Sequence, residues 1–361
     1  MAHVLVNLTR TLVTCNIISE QERLIAYYLQ FIKDFNSRDE QRYLLVLFSA
    51  VFCNCKEFSL SHFEFLYTTF EVALSDPLGR PPIEELQFLS ANKLLACSVC
   101  VLLADYSPLR KFVAEALSSI KQVLFSNEEM PSQKEAALRT LSYIAKGLVM
   151  SGDTAQSSAC DLLISQLSTP KLAKASSEGV AIVLDDLDDV MGMQLGDARK
   201  QNFYYNYIGS IKKIYSEALL IEEKQHPLSV ALSLLTSLPK PALAKEFLSQ
   251  ILIVTASLQM ADYSIQLSAL RLLNLVIDCA PDCFAKALDE LVTATTVLLS
   301  SPSMEIKRRV LVVLYKMAGL PYHELHRFKQ GIINVLEALL DDTKRLVRRE
   351  AAMCRSLWLM L

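Results

Sequence analysis

Apolar and polar residues follow a helical period through the last third of the chain, and the pattern returns at a fixed interval. Prolines stand forty residues apart, at Pro241, Pro281 and Pro321. Each is followed by an apolar helical stretch, a short polar break and a second helical stretch. Proline suits the first turn of a helix because its missing N–H would have no partner there. We therefore predict that each proline begins the first helix of a pair.

The second helix of each pair has fixed positions as well. A β-branched residue follows the polar break, and four positions later comes a small or β-branched one: Ile265 and Ala269, Ile306 and Val310, Val347 and Ala351. Equivalent residues lie forty-one positions apart, and a helix-pair period of roughly 40–47 residues is typical of HEAT repeats. One pair buries a single face, so pairs must stack to share a core. The sequence therefore predicts an all-α fold, a superhelical solenoid of HEAT-type (armadillo-like) helix-pair repeats.

The rest of the chain is helical but less regular. We predict irregular helical repeats over 1–184, an acidic loop over 185–198 and C-terminal HEAT repeats over 199–361, with regular pairs from about 241. Individual helices are expected at three places between 2 and 54, and then over 59–75, 83–105, 108–125, 131–150, 157–166, 171–184 and 199–223. Pro227 is expected to begin the partner of the last of these helices.

Composition limits the fold classes and the cellular compartments that are compatible with the sequence. The 361 residues include 9 glycines, where average usage of about 7% would give roughly 25, so tight turns and phosphate-cradling loops are scarce. The cysteine count is odd, at 9, and the N-terminus makes a poor signal sequence, which together favour free thiols in a reducing compartment. The longest apolar run, 94–104, is shorter than the roughly 20 residues of a membrane span. We expect a soluble intracellular protein without a membrane partner.

Charge is unevenly distributed along the chain. The net charge is −3, yet from Ser301 onward eleven Lys and Arg residues face six Asp and Glu residues. Seven of these bases form a basic cluster around two successive second helices: Lys307, Arg308, Arg309, Lys344, Arg345, Arg348 and Arg349. Because equivalent positions on stacked repeats lie side by side, these side chains can form one patch. We predict that the basic cluster binds an acidic protein partner.

Two alternatives to a partner site remain for the basic cluster. HEAT repeats often place Asp before the second helix and Lys or Arg just inside it, as an inter-repeat ladder of hydrogen bonds and ion pairs. On that interpretation Asp342, Lys307 and Arg348 hold repeats together, while Arg308, Arg309, Lys344, Arg345 and Arg349 are the freer cations. The freer cations can simply be solvated. Direct nucleic-acid binding would need a longer basic stripe with interleaved aromatic residues, so none is expected.

Residues suited to catalysis or metal binding are few. Cys97 and Cys100 have C-x-x-C spacing, but they lie in an apolar helical run and no second C-x-x-C completes a four-ligand site. We interpret them as core residues, and likewise the two other cysteine pairs, at positions 53 and 55 and positions 279 and 283. His323 and His326 are three residues apart, whereas H-E-x-x-H requires four.

Two further stretches have structural interpretations. The acidic run over 185–189 is expected to be a solvated loop, and the aromatic residues over 203–207 are expected to pack between repeats. A triad order, a P-loop and a dinucleotide fingerprint are all absent from the sequence. We therefore expect no enzyme, and neither a metal nor a cofactor.

Several short motifs resemble the methyl methanesulfonate sensitivity family of iron–sulfur targeting adaptors. They are RKQNFY at 199–204, LPKP at 238–241, IQLSAL at 265–270, SSPSM at 300–304 and LLDDTKRLVRREA at 339–351. The resemblance covers residues from about 170 to 361, in the order of that family's C-terminal part, with Trp358 near the end. Family members are longer, so the resemblance implies that this chain corresponds to their C-terminal region.

The resemblance also implies a function. Members are non-enzymatic HEAT-repeat scaffolds of the cytosolic iron–sulfur cluster assembly (CIA) targeting complex, which joins a WD40 propeller subunit and a small MIP18-type subunit. The complex delivers 4Fe–4S clusters to apo-clients such as helicases, primases and DNA polymerases, in the cytoplasm and the nucleus. The alternatives are a HEAT or armadillo scaffold in nuclear transport or transcription and, from the enzyme class, a helical metal-dependent hydrolase.

Overall fold

The computed structural model describes residues 89, 92–93, 95–100, 107–127, 130–185 and 194–361. The described residues form α-helices and short 3-10 turns and contain no strand. The helices expected before residue 89, the cysteine pair at 53 and 55, and residues 186–193 of the acidic loop lie outside them. The chain divides into two compact units, Met1–Arg199 and Lys200–Leu361.

Before residue 107, helical residues are described at 89, 92–93 and 95–100. Four helices with described bounds follow in the first unit. They are α1 (Ser107–Phe125), α2 (Pro131–Ser151), α3 (Gln156–Ser165) and α4 (Ala173–Leu184). Helix α2 packs against each of the other three. It begins at Pro131 and ends where Gly152 adopts a left-handed φ of 77° and donates its N–H to the Leu148 carbonyl. Both ends are as predicted, because proline fits the first turn and glycine enters the left-handed region without strain.

A fully buried lysine fixes the end of α4. Lys146 of α2 is completely buried, and its Nζ donates to the carbonyls of Ile182 and Val183, at 3.1 and 3.3 Å, and to that of Asp185. These carbonyls lie at the C-terminus of α4, where helical carbonyls lack intrahelical partners and carry partial negative charge. The ammonium group therefore serves as a cap that locks α4 onto α2.

Ten helices follow, from residue 197 to the end of the chain. They are α5 (Asp197–Glu217), α6 (Ile221–Ser237), α7 (Lys240–Glu246), α8 (Ile251–Gln259), α9 (Tyr263–Cys279), α10 (Pro281–Ala285), α11 (Leu288–Val297), α12 (Met304–Met317), α13 (Tyr322–Ala338) and α14 (Arg345–Met360). Short 3-10 turns connect α7 to α8 and follow α11 and α13.

The helices of the second unit stack in two layers. The second helices of the repeats pack in the order α6, α9, α12 and α14, and the first helices pack in the order α8, α11 and α13. The β-branched residue that opens each second helix, Ile265, Ile306 or Val347, is buried against this stack. The HEAT-type, armadillo-like solenoid expected from the forty-one-residue period is confirmed.

The prolines behave as the repeat pattern predicts. Pro281 is the first residue of α10, Pro241 is the second residue of α7, and Pro321 lies directly before α13. The first helices of two repeats are each divided in two, α7 with α8 and α10 with α11. The stretch Lys240–Gln259, which covers α7 and α8, has the length and hydropathy of a membrane span. Its side chains Leu243, Phe247 and Val254 lie in the repeat core.

The predicted boundary between α5 and α6 is wrong. Helix α5 ends at Glu217, and α6 begins at Ile221, so that Pro227 lies inside α6 rather than at its start. The Glu223 carboxylate accepts the backbone N–H groups of Leu219 and Leu220, at 3.3 Å each. Because a carboxylate stabilises the positive end of a helix, this acidic residue begins the second helix instead of ending the first.

The tight packing of α2 on α4 depends on a glycine. A Cβ added at Gly179 would lie 2.2 Å from the Ser142 Oγ and 3.0 Å from a methyl group of Leu163. We predict that Gly179→Ala lowers the free energy of unfolding by about 1–3 kcal/mol, because overpacking forces neighbours apart. Urea unfolding monitored by circular dichroism measures the change.

A double variant tests whether that hydroxyl is the cause. Ser142→Ala removes the Oγ and its 2.7 Å bond to the Leu138 carbonyl. We expect Gly179→Ala to cost less in the Ser142→Ala background than in the wild type. Equal costs in the two backgrounds would show that the hydroxyl does not set the packing distance.

Candidate protein-binding surface on the C-terminal repeats

An ion-pair ladder connects successive second helices. The Lys307 Nζ of α12 lies 2.6 Å from the Asp342 Oδ2, just before α14, and this carboxylate is 7% exposed. Arg348 donates to the carbonyls of Asp342 and Thr343 at 2.7 and 3.2 Å. The Lys307–Asp342 pair confirms the predicted contact between repeats, whereas both acceptors of Arg348 lie in its own repeat, so its predicted inter-repeat role is wrong. The Lys307 and Arg348 side chains are therefore held within the chain.

Arg308 was expected to be one of the freer cations, and that expectation is wrong. Its Nε and one terminal nitrogen donate to the Glu350 Oε1, at 2.8 and 2.6 Å. Arg308 lies on α12 and Glu350 on the adjacent α14, and the two helices pack directly together. The pair is partly exposed, and it gives the ladder a second rung beside Lys307 and Asp342.

The remaining cations of the basic cluster are exposed. Arg309 lies 3.9 Å from Glu305 on its own helix, a solvent-accessible pair of a kind that contributes little to stability. Lys344, Arg345 and Arg349 are exposed and make no ion pair with the described residues. The cluster therefore divides into an internal part, Lys307, Arg308 and Arg348, and an outward part.

Further contacts fix the register of the last three repeats. The indole N–H of Trp358, which is fully buried, donates to the Leu314 carbonyl at 2.9 Å. Ion pairs between neighbouring repeats join Lys316 to Asp278 at 2.6 Å and Arg327 to Asp289 at 2.8 Å, both largely exposed. The indole contact and the Lys307–Asp342 pair lie at opposite ends of α12, so α12 and α14 are held side by side along their length.

Helix α14 has an exposed apolar stripe in addition to its buried one. Val347, Ala351, Cys354 and Trp358 are buried against the repeat. Leu346, Met353 and Met360 are spaced by seven residues and are 44%, 53% and 84% exposed. A spacing of seven places them on one side of a helix, away from the buried stripe.

Helix α12 continues this apolar surface. Its Val312 and Tyr315 are 41% and 47% exposed. Val312 is equivalent to Met353 by the forty-one-residue repeat, so the two lie side by side on adjacent helices. The repeat pattern does not predict this apolar surface, because the pattern is defined by buried positions. The sequence does contain the signal for an apolar surface. Leu346 and Met353, two large apolar residues, lie one position before and six positions after Val347.

Cysteine and histidine residues do not form a metal centre in the described part of the chain. No group of three or more His, Cys, Asp and Glu side chains there is arranged to hold a metal ion. Burial raises the pKa of Cys100, and it raises that of Cys354 to about 12; both shifts disfavour the thiolate, the form that binds metals. The His326 Nδ1 lies 2.9 Å from the His323 carbonyl within the first turns of α13.

The aromatic cluster on α5 serves packing, as predicted. Phe203, Tyr204 and Tyr207 are buried, and Tyr204 is completely so. The hydroxyls of Tyr204 and Tyr205 donate to the Glu246 carboxylate at the end of α7, at 3.4 and 3.1 Å. Burial, and then the Glu246 charge, raise the pKa of Tyr204 well above its ordinary value, so the phenol remains a donor that connects two first helices.

Comparison with known proteins places this repeat array in a family. The model of the C-terminal domain described as an RNAPII transcription regulator, the C-terminal region of MMS19 proteins, matches residues 3–318. The chain belongs to this MMS19 C-terminal family. The match ends just after α12, so α13 and α14, with Lys344, Arg345 and Arg349, lie beyond the matched residues.

Full-length members of the MMS19 family are much longer than this chain. The human MMS19 nucleotide excision repair protein homolog is 30% identical over 233 residues, which are 63% of this chain and 22% of the relative. The fission yeast DNA repair/transcription protein mms19 is 25% identical over 238 residues, 63% of this chain and 23% of the relative. The chain thus spans less than a quarter of the length of these MMS19 relatives.

A solved structure supports the fold. Kap121p is similar with a TM-score of 0.58 and 15% identity, over 93% of this chain and 33% of that one. At this identity the likeness concerns the helical-repeat fold alone. Repeat solenoids of this kind generally act as scaffolds whose extended surfaces bind other proteins.

The ladder generates a prediction about stability and pH. Asp342 accepts from the Lys307 ammonium and from the Lys344 N–H, and the first of these contacts mainly holds its pKa below its ordinary value. We predict that Asp342→Asn lowers the free energy of unfolding at pH 7 by about 1–3 kcal/mol. A lowered folded-state pKa contributes stability above the unfolded pKa of about 3.9, and this is lost as pH falls through the folded-state value.

Urea titrations at several pH values measure this effect. The stability difference between wild type and Asp342→Asn should be full near neutrality and shrink on acidification below about pH 4. Asp289→Asn is the matched control, because its pair with Arg327 is exposed and should change stability little. A constant difference across the whole pH range would contradict the assigned role of the Asp342 charge.

Proposed function

We propose that this chain is a non-enzymatic scaffold of the CIA targeting complex, acting in the cytoplasm and the nucleus. Its C-terminal repeats dock the small MIP18-type subunit and the WD40 propeller subunit, and the complex presents clusters to apo-clients, including DNA repair and replication enzymes. Membership of the MMS19 C-terminal family supports this role, as does the naming of its relatives as DNA repair and transcription proteins.

The observation that carries the proposal is the outward part of the basic cluster. Lys344, Arg345 and Arg349 are exposed, and the acidic side chains nearest to them in sequence, Asp342 and Glu350, are engaged by Lys307 and Arg308. An acidic surface on a partner can therefore approach these cations without first breaking an internal pair. Complementary charge of this kind favours fast and selective association.

The enzyme alternative lacks a supporting site in the described residues. A helical metal-dependent hydrolase needs a cluster of ligating side chains, and the described residues contain no such group. The nuclear-transport alternative has a fold likeness to Kap121p at 15% identity as its support, and that likeness carries no function.

We predict that reversing the outward charges weakens partner capture. The variant Arg309→Glu, Lys344→Glu, Arg345→Glu and Arg349→Glu should lower recovery of the MIP18-type subunit in a pull-down by about tenfold or more. Circular dichroism and thermal melting should match the wild type, because these side chains are exposed.

A matched charge reversal elsewhere serves as the control. Lys111 and Lys121 lie on α1 in the first unit and are exposed, so Lys111→Glu with Lys121→Glu should leave capture unchanged. Equal capture by the cluster variant and the wild type would remove the basic cluster from the docking surface.

Metal analysis of the purified protein separates the scaffold from the hydrolase. We expect metal far below one equivalent per chain after purification without chelator, because a scaffold positions partners and does not activate water. A stoichiometric metal that is retained through dialysis, together with hydrolytic activity, would favour the enzyme class.

A further inference from the structure

One surface of the last two repeats combines the exposed apolar stripe with the outward cations. We call it the α12–α14 face and define it by Val312, Tyr315, Leu346, Arg349 and Met353. Helix periodicity places Leu346, Arg349 and Met353 on one side of α14, since they follow one another by three and four residues. Because Val312 on α12 is equivalent to Met353 on α14, the corresponding side of α12 lies next to this side of α14.

The α12–α14 face is continuous because α12 and α14 are held together along their length. The Arg308–Glu350 and Lys307–Asp342 pairs connect their first turns, and the Trp358–Leu314 hydrogen bond connects their last turns. Two parallel helices in contact form a shallow groove between their ridges, with axes roughly 8–10 Å apart. Exposed apolar side chains on both sides of that groove are the arrangement that accepts a third helix.

Charge at this face selects the partner. Arg345 and Arg349 lie within the first two turns of α14 and Arg309 within the first two turns of α12. Within these same turns the acidic side chains are Glu305 and Glu350, which are paired with Arg309 and Arg308. The N-terminal end of the groove is therefore positive, and its C-terminal end, around Met353 and Met360, is apolar.

The exposed side chains favour a protein occupant over nucleic acid. Leu346, Met353 and Met360 are aliphatic. A phosphate backbone placed over them would lose hydration and gain no hydrogen bond or ion pair in exchange. Tyr315 is the aromatic side chain of this face, whereas single-stranded nucleic acid is held by stacking on successive aromatic residues. Helices also expose no unpaired backbone edge, so an extended strand could not gain main-chain hydrogen bonds here.

We propose that the α12–α14 face binds an amphipathic helix with an apolar stripe and an acidic end, supplied by a partner protein. The apolar stripe lies in the groove against Met353 and Val312, and the acidic end pairs with Arg345 and Arg349. This inference rests on the proposed scaffold function and specifies which element of a partner the C-terminal repeats hold.

A designed peptide tests this directly with the intact chain. The probe is a fluorescein-labelled helix of roughly 18 residues, with leucines at positions spaced three and four apart and glutamates near one end. Its first comparison peptide has the same composition in scrambled order, and its second has lysines in place of the glutamates. Fluorescence anisotropy should show saturable binding of the acidic amphipathic peptide and at least tenfold weaker binding of both others.

Variants assign the binding to the face. Met353→Asp and, separately, Arg345→Glu with Arg349→Glu should each weaken binding of the acidic peptide by about tenfold or more. Val297→Asp is the matched control, because Val297 is an exposed apolar residue, 66% accessible, on the first-helix layer, and it should bind as the wild type does. All these positions are exposed, so the folded state is expected to persist and is checked by thermal melting.

Three results would overturn the proposal. Equal binding of the scrambled peptide would mean that charge alone attracts it, and no saturable binding would mean that the groove does not accept a helix. Preferential binding of single-stranded DNA or RNA, competed by salt but not by the peptide, would assign the face to nucleic acid instead. Capture of the MIP18-type subunit by the same protein is measured in parallel, so loss of peptide binding with capture retained refutes the helix site and leaves the scaffold function standing.

Discussion

The structure of the second unit depends on apolar faces that neighbouring repeats must share. Helix α12 is buried on more than one side, at Val310 and Val313 and also at Leu311 and Leu314, because α9 packs on one flank and α14 on another. Without the neighbouring repeats, the side chains on these flanks would be exposed to water. Burial of apolar surface stabilises the fold by about 25 cal/mol per Å². Because neighbouring repeats supply this burial to each other, each repeat depends on the next for its stability.

The polar contacts also connect neighbouring repeats. Each rung joins a cation on one second helix to an acid one repeat later or earlier, as in Lys307–Asp342 and Arg308–Glu350. Such rungs contribute less free energy than the apolar core, since exposed pairs are weak. The Lys307–Asp342 pair does fix register, because the Asp342 carboxylate is 7% exposed and a shifted helix would leave it without a partner.

Sequence patterns were sufficient to predict the helices in the regular repeats. Proline positions and the β-branched residues at Ile265, Ile306 and Val347 located the regular helix pairs, since these residues report local geometry and burial directly. Pro227 was misleading because the N-terminal signal of α6 is Glu223, which caps the backbone near Ile221, and the helix accommodates the proline in its interior. The domain boundaries at residues 184 and 198 stay predictions.

The candidate binding surface could be predicted in part from the sequence. The sequence predicted its positive charge and the pairing of Lys307 with Asp342, but it also assigned Arg348 to the ladder, whereas Arg348 donates to carbonyls of its own repeat. The pairing of Arg308 was missed because its partner, Glu350, lies forty-two residues later, beyond what a single helix face displays. The apolar stripe of Leu346 and Met353 was missed because it lies beside a buried stripe on one helix, where two apolar faces merge into a general hydrophobic pattern.

Cations at equivalent positions make different contacts on α12 and α14. Arg349 is equivalent to Arg308 by the forty-one-residue period, and Arg348 is equivalent to Lys307. In the preceding repeat those cations are neutralised by the acids of the repeat that follows. On α14, Arg348 instead donates to the carbonyls of Asp342 and Thr343, and Arg349 is exposed and makes no ion pair with the described residues. The exposed apolar position is shared by the two helices, since Val312 is exposed on α12, which packs between α9 and α14, and Met353 is exposed on α14. Equivalent positions on α12 and α14 therefore agree in their exposed apolar residue and differ in how their cations are paired.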